Sequence, residues 1–143
     1  MTPTERRNVA IVRKLYKGYE NSKATPEQRL AAVMAPISAD TILIEHAPKE
    51  KMGWGGTYKG TDGVMAFLTA VSSELDHSAF TCEGVVARGP WVFSWGHLRT
   101  QCRKSGRRSE ADWQHRIRMK GSKIVEWHEF YDTLRSAMEL GRL

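Results

Sequence analysis

The feature that most constrains this chain is a strict alternation between residues 111 and 120. Ala111, Trp113, His115, Ile117 and Met119 share one parity; Asp112, Gln114, Arg116, Arg118 and Lys120 share the other. A period of two belongs to a strand with one buried face and one wet, charged face. Gly121 and Ser122 interrupt it, and a second extended run, Lys123 to Asp132, follows. Two such runs around a short Gly-containing turn predict a β-hairpin.

Register then decides the chemistry. A three-residue loop, Gly121-Ser122-Lys123, places Lys120 beside Ile124 and His115 opposite Glu129 on one face. A two-residue loop would set Gln114 opposite Glu129 and turn Glu129 to solvent. The first register is preferred because it unites Trp113 and Ile117 with Trp127 and Tyr131. It leaves one carboxylate and one imidazole in an aromatic and aliphatic surface. Desolvation would raise the pKa of such a carboxylate toward that of the imidazole. That makes an acid–base pair near neutral pH. The same spacing is equally compatible with a structural hydrogen bond between two buried polar groups.

Upstream, Thr4 to Asn21 reads as a helix with Val9, Val12, Leu15, Tyr16 and Tyr19 on one stripe. Thr25, Pro26 and Gln28 open a second helix with a capping-box pattern, and Pro36 stops it. Ile37 to Ala47 reads as extended. With Ile42 and Ile44 facing inward, His46 follows on the same side as a second pocket imidazole; a strand-end surface histidine is the other reading. Pro48 to Gly60 is a glycine-rich loop around Trp54, either a lid over a pocket mouth or a plain loop pinned by one tryptophan. Thr61 is expected to cap a third helix, with Val64, Phe67, Leu68, Val71 and Leu75 on its buried stripe. Ala79–Arg88 and Trp91–Cys102 read as strands, and Thr133–Leu140 as a closing helix. Both faces of the Trp91–Cys102 strand are apolar enough to be covered, one by the core and the other by a partner subunit.

Helices followed by four consecutive antiparallel strands argue an α+β fold, a long curled sheet wrapped over helices as a cone with a pocket inside. At 143 residues, with 41% hydrophobic residues, the chain fits one domain spanning 1–143 with a real core. No apolar run approaches the ~20 residues of a membrane span, and no signal peptide is expected. Cys82 and Cys102 form neither a metal motif nor a disulfide framework, which suits a reducing cytoplasm. The net charge of +6 concentrates on Arg99, Arg103, Lys104, Arg107, Arg108, Arg116, Arg118 and Lys120. The aromatics lie mainly on other faces, so a solvated basic edge is favoured over a nucleic-acid surface.

Three segments carry a family resemblance: Tyr58-Lys-Gly-Thr-Asp-Gly-Val-Met-Ala-Phe-Leu, Phe93-Ser-Trp-Gly-His-Leu-Arg, and Gly121-Ser-Lys-Ile-Val-Glu-Trp-His-Glu-Phe-Tyr-Asp. With the element order, they resemble the SnoaL-like branch of the nuclear-transport-factor-2-like superfamily. The resemblance implies the cone fold and an aspartate-type acid–base residue at Glu129, with a histidine partner at His115. Glutamate for aspartate reaches one methylene farther. The related limonene epoxide hydrolases would need aspartate and arginine where this chain has Leu98 and Gly96, and the ketosteroid isomerase trio finds no secure match.

The reading that follows is a cofactor-independent enzyme, a cyclase or isomerase, abstracting a proton next to a carbonyl of a small hydrophobic compound. Glu129 would be the base. His115 would donate to the enolate oxygen or position Glu129, and His46 or Tyr58 would add a hydrogen bond. Trp54, Tyr58, Trp113, Trp127 and Tyr131, with Leu98 and Phe67, would wall the substrate. The competing reading is a binding or homodimerisation module without chemistry. A metal held by His46, His115 and Glu129 has no sequence-local motif.

Overall fold

The computed structural model describes residues 1–143, apart from the side chain of Ser78. In chain order the elements are α1 (Pro3–Glu20), α2 (Pro26–Met34), β1 (Ile37–Glu45), β2 (Gly56–Lys59), α3 (Gly60–Glu74), β3 (Leu75–Arg88), β4 (Trp91–Cys102), β5 (Arg108–Lys120), β6 (Lys123–Tyr131) and α4 (Thr133–Glu139). Both N-terminal helices begin with a full capping box and a proline in the first turn, Thr2 with Glu5 and Thr25 with Gln28. Each box satisfies two backbone N–H groups that a helix start leaves unmet. The expected Thr61 cap is corrected: Lys59 occupies that position and makes no side-chain cap bond. The loop after β1 also contains β2, a short strand paired antiparallel to β1.

The six strands form one sheet in the order β2-β1-β6-β5-β4-β3. β1 runs parallel to β6, and the other pairs are antiparallel. The sheet curls as a half-barrel over the helices, with α1 against β3 and β4 and α3 against β1. This is the α+β cone expected from the element order. Near the β5–β6 turn the interior is solid, filled by Val9, Val12, Val92, Ile117 and Ile124. Burying each such side chain contributes about 1.5–3 kcal/mol. Toward the other end of the strands the inner face lines a cavity.

The hairpin reaches the expected pairing by another route. Lys120 pairs with Lys123, so the loop has two residues, Gly121 and Ser122, rather than three. Gly121 has φ +59°, a conformation that glycine adopts without strain. A bulge between Arg118 and Met119 then shifts the ladder by one. Beyond it His115 pairs with Glu129 and Ile117 with Trp127. The extra residue sits in the strand and not in the turn.

The parity of β1 is the main correction. Thr41, Leu43 and Glu45 face inward and are buried, while Ile42 is 38% exposed on the outer face. Apolarity favoured Ile42 and Ile44. The buried threonine is nonetheless satisfied: its hydroxyl donates to the Ile124 carbonyl oxygen and accepts from the Ser38 N–H. Pairing with β6 then sets Leu43 beside Trp127 and Glu45 beside Glu129.

Candidate functional site

The cavity has a volume of about 440 Å³ and is walled mainly by apolar side chains of β1, β4, β5, β6, α1 and α3. His115 and Glu129 project into it from neighbouring strands. The His115 Nε2 lies 3.8 Å from Glu129 Oε2. His115 is 5% exposed. Glu129 keeps 19% of its side-chain surface open, facing the cavity that it lines.

A second carboxyl group stands beside the first. Glu45, 2% exposed, is the direct partner of Glu129 across the parallel β1–β6 ladder. Its Oε1 accepts from the Ala47 N–H at 3.0 Å, which fixes the group. The reading of the sequence missed Glu45 because it assigned that parity to solvent. The signal available was the parallel register with β6, which no local pattern displays.

Both carboxyl pKa values are raised above the ordinary carboxylate range. Burial is the chief cause for each, and repulsion from Glu129 adds to it for Glu45. No lysine or arginine forms an ion pair with either one among the described residues. Two adjacent carboxyl groups in such a place retain a proton between them, because the doubly ionised state is repelled and unsolvated. The imidazole moves the other way: burial lowers His115 to about 3. The carboxyl rise expected from desolvation is present, while the expected near-neutral imidazole partner is corrected. The carboxyl rises and the imidazole falls, and His115 is neutral.

His115 is held from behind. Its Nδ1 lies 2.7 Å from the Tyr16 hydroxyl, which lies 2.6 Å from Ser94 Oγ. If Tyr16 donates to Nδ1, the imidazole carries its proton on Nε2, toward Glu129. The opposite tautomer reverses each bond in the chain. Trp113 stacks on the His115 ring with centroids 4.4 Å apart, and Phe80 stacks on Trp113 at 4.8 Å.

The other expected residues divide. Trp54, Phe67, Leu98, Trp127 and Tyr131 line the cavity. Trp54 is buried, and its Nε1 donates to the Tyr131 hydroxyl at 3.2 Å, which pins the glycine-rich loop. Tyr58 and Trp113 do not reach the cavity wall. Tyr58 instead donates to the Trp54 carbonyl oxygen at 2.9 Å and packs edge-on against Phe67. Trp113 lies behind His115, 1% exposed. His46 is the clear correction: it lies on the outer face, stacked on Phe130 at 4.5 Å, with Nε2 3.1 Å from His128 Nδ1. The parity of β1 put it there, so His46, His115 and Glu129 cannot converge on one metal ion.

Position 96 also bears on the chemistry. A Cβ on Gly96 would overlap the Thr81 carbonyl oxygen and approach the Trp113 ring to 2.6 Å. An arginine there, as the epoxide hydrolase arrangement requires, would displace the tryptophan that backs His115.

Comparison with known proteins agrees with the fold. The chain superposes on an NTF2-like protein from Burkholderia pseudomallei with a TM-score of 0.81 and 21% identity, over 94% of this chain and 97% of that one. An NTF2-like protein from Burkholderia thailandensis gives 0.79 and 25%, over 92% and 95%. TerC, co-crystallised with polyporic acid, gives 0.78 and 20%, over 94% and 97%. No curated protein matches the sequence. The sequence pattern of the SnoaL-like domain matches residues 12–127, and the chain belongs to that family.

Proposed function

We propose that this protein moves protons on a small hydrophobic carbonyl compound, as a cofactor-independent cyclase or isomerase of the SnoaL-like type. The observation that carries the reading is the pair of adjacent carboxyl groups, Glu45 and Glu129, with no lysine or arginine ion-paired to either among the described residues, in a mainly apolar cavity. A pair that holds one proton supplies a base and an acid at once. Glu129 in its ionised form takes the proton from the carbon next to the carbonyl. Electron density moves onto the carbonyl oxygen, and the protonated Glu45 stabilises the enolate. Return of the proton to another carbon completes an isomerisation; attack of the enolate carbon on a second carbonyl completes a cyclisation. His115, being neutral, orients Glu129 through Nε2 while Tyr16 holds its other nitrogen.

The cavity volume suits a ligand of one or a few rings, and TerC, which shares the fold, was crystallised with polyporic acid. The outer face carries Phe93, Trp95 and Phe130, each exposed by more than a third, which supports self-association through the sheet. Sedimentation velocity measures that directly.

The test of the chemistry is proton exchange in D2O, followed by NMR on a panel of aromatic and cyclic ketones. Wild type should wash deuterium into the position next to the carbonyl, and Glu129→Gln should not, while remaining folded. Wild-type exchange in Glu129→Gln rejects the assignment and leaves a binding module.

A further inference from the structure

We propose that the cavity rim, at Arg29 and Arg103, receives a carboxylate of the ligand, so that the compound taken is an acid as well as a carbonyl compound. The inference rests on the reading above for the carbonyl and adds the second functional group. Arg29 and Arg103 are the cationic side chains that line the cavity. They come from different elements, α2 and the turn after β4. Among the described residues the side chain of each is anchored through Nε. Arg29 Nε donates to the Tyr19 carbonyl oxygen in the last turn of α1, at 2.9 Å, with the guanidinium 5.4 Å over the Tyr19 ring. Arg103 Nε donates to the Ser72 carbonyl oxygen in the last turn of α3, at 2.7 Å.

Capping a helix end explains the Nε bonds and nothing more. A guanidinium has five N–H donors in a fixed fork, so among the described residues the terminal nitrogens of both keep donors for another partner. Among the described residues no carboxylate lies within ion-pair distance of either arginine. Asp76 and His77 share the rim. Burial lowers His77 to about 4 against the opposing pull of Asp76, with Arg29 and Arg103 adding to the fall, and its Nδ1 lies 2.5 Å from the Tyr19 hydroxyl. Two guanidinium charges against one aspartate leave the rim cationic.

The two ends of the cavity therefore differ in kind. Inside lie two carboxyl groups that keep a proton, and at the mouth lie two pre-oriented guanidinium groups, with Tyr131 and Leu98 between Glu129 and Arg103 along the sheet. A neutral hydrocarbon ketone would use the first end and leave the second idle. A molecule with a carbonyl at one end and a carboxylate at the other fits both, and fork-to-carboxylate pairing is the strong form of that contact.

The test is calorimetric titration at pH 7 with 1-naphthylacetate and its neutral analogue 1-naphthylacetamide. Wild type should bind the acid about tenfold more tightly than the amide. Added salt should weaken the acid and not the amide. Arg29→Gln and Arg103→Gln should each weaken the acid about tenfold and leave the amide within about twofold. Arg116→Gln, on the outer face, should change neither. Equal affinity for acid and amide in wild type, equal losses for both in the arginine variants, or no binding of the acid at millimolar concentration would overturn the proposal. Should a glutamine variant fail to fold, the salt dependence in wild type decides. Ketone exchange that persists without any acid preference rejects the rim assignment alone; acid preference without exchange rejects the proton chemistry alone.

Discussion

β6 supplies the glutamate of two glutamate–histidine pairs, one on each face of the sheet, and they behave oppositely. On the outer face His128 Nε2 meets Glu126 Oε1 at 2.8 Å, and Arg118 meets the other oxygen of the same carboxylate at 3.0 Å. On the inner face His115 and Glu129 stand 3.8 Å apart with no cation beside them. Hydrogen bonds from His128 and Arg118 hold the Glu126 carboxyl below its ordinary range, while burial pushes Glu129 above it. The same two residue types thus make a charged surface contact in one place and an uncharged pair in the other. Proximity of the side chains does not decide which; solvation and the neighbouring arginine do.

The sharpest way to break the comparison is to neutralise each carboxylate in turn. Glu129→Gln should lower proton-exchange turnover by about 10²–10⁴-fold, the usual worth of a positioned base. Glu126→Gln should leave turnover within about twofold, read in the same NMR assay. The next largest effect is on stability. Tyr16→Phe leaves His115 Nδ1 and Ser94 Oγ without their buried partner. It should cost about 1–3 kcal/mol, measured as a fall in the urea midpoint.

The pH response should separate the faces further. Glu45 and Glu129 have folded pKa values above a glutamate's ordinary 4.5. The stability they confer is complete below that value and lost as pH rises through the raised ones. His115, lowered from 6.5 to about 3, contributes fully above 6.5 and loses its contribution as pH falls toward 3. Between pH 6.5 and 9 only the carboxyl side of this pair changes. Stability should then fall by on the order of 1–3 kcal/mol in wild type, and by less in Glu129→Gln, by urea titration at each pH. Glu126, with a lowered pKa, contributes above 4.5 and should be silent across that window. The smallest effect is its removal: Glu126→Gln should cost less than about 1 kcal/mol, and less still in high salt.

The His115–Glu129 pairing and the start of α2 were legible because each has a local signature. Alternation displays the inner face of β5, and Thr25-Pro26 with Gln28 displays a cap. Glu45 and His46 were not, because the orientation of β1 is set by a parallel partner more than eighty residues away. Two isoleucines in β1 argued for the wrong side, and a hydrogen-bonded threonine held the strand the other way. Trp113 was legible as buried but not as the backing of His115, a relation that depends on Gly96 of the neighbouring strand leaving space for its ring. Arg103 read as part of a solvated basic edge and Arg29 carried no local signal; only folding brings both to one cavity.

The single surplus residue between Arg118–Glu126 and Met119–Ile124 has an evolutionary reach out of proportion to its size. Because it is looped out, an in-frame codon deletion there would only regularise the ladder and keep Glu129 opposite His115. Drawing it into the ladder instead would slide the rest of the terminal strand by one place, set His128 opposite His115 and turn Glu129 outward. A lineage could retire this acid that way with its length unchanged, so pairing at this one spot is the trait to compare across relatives before any alignment column is taken to identify their working carboxylate.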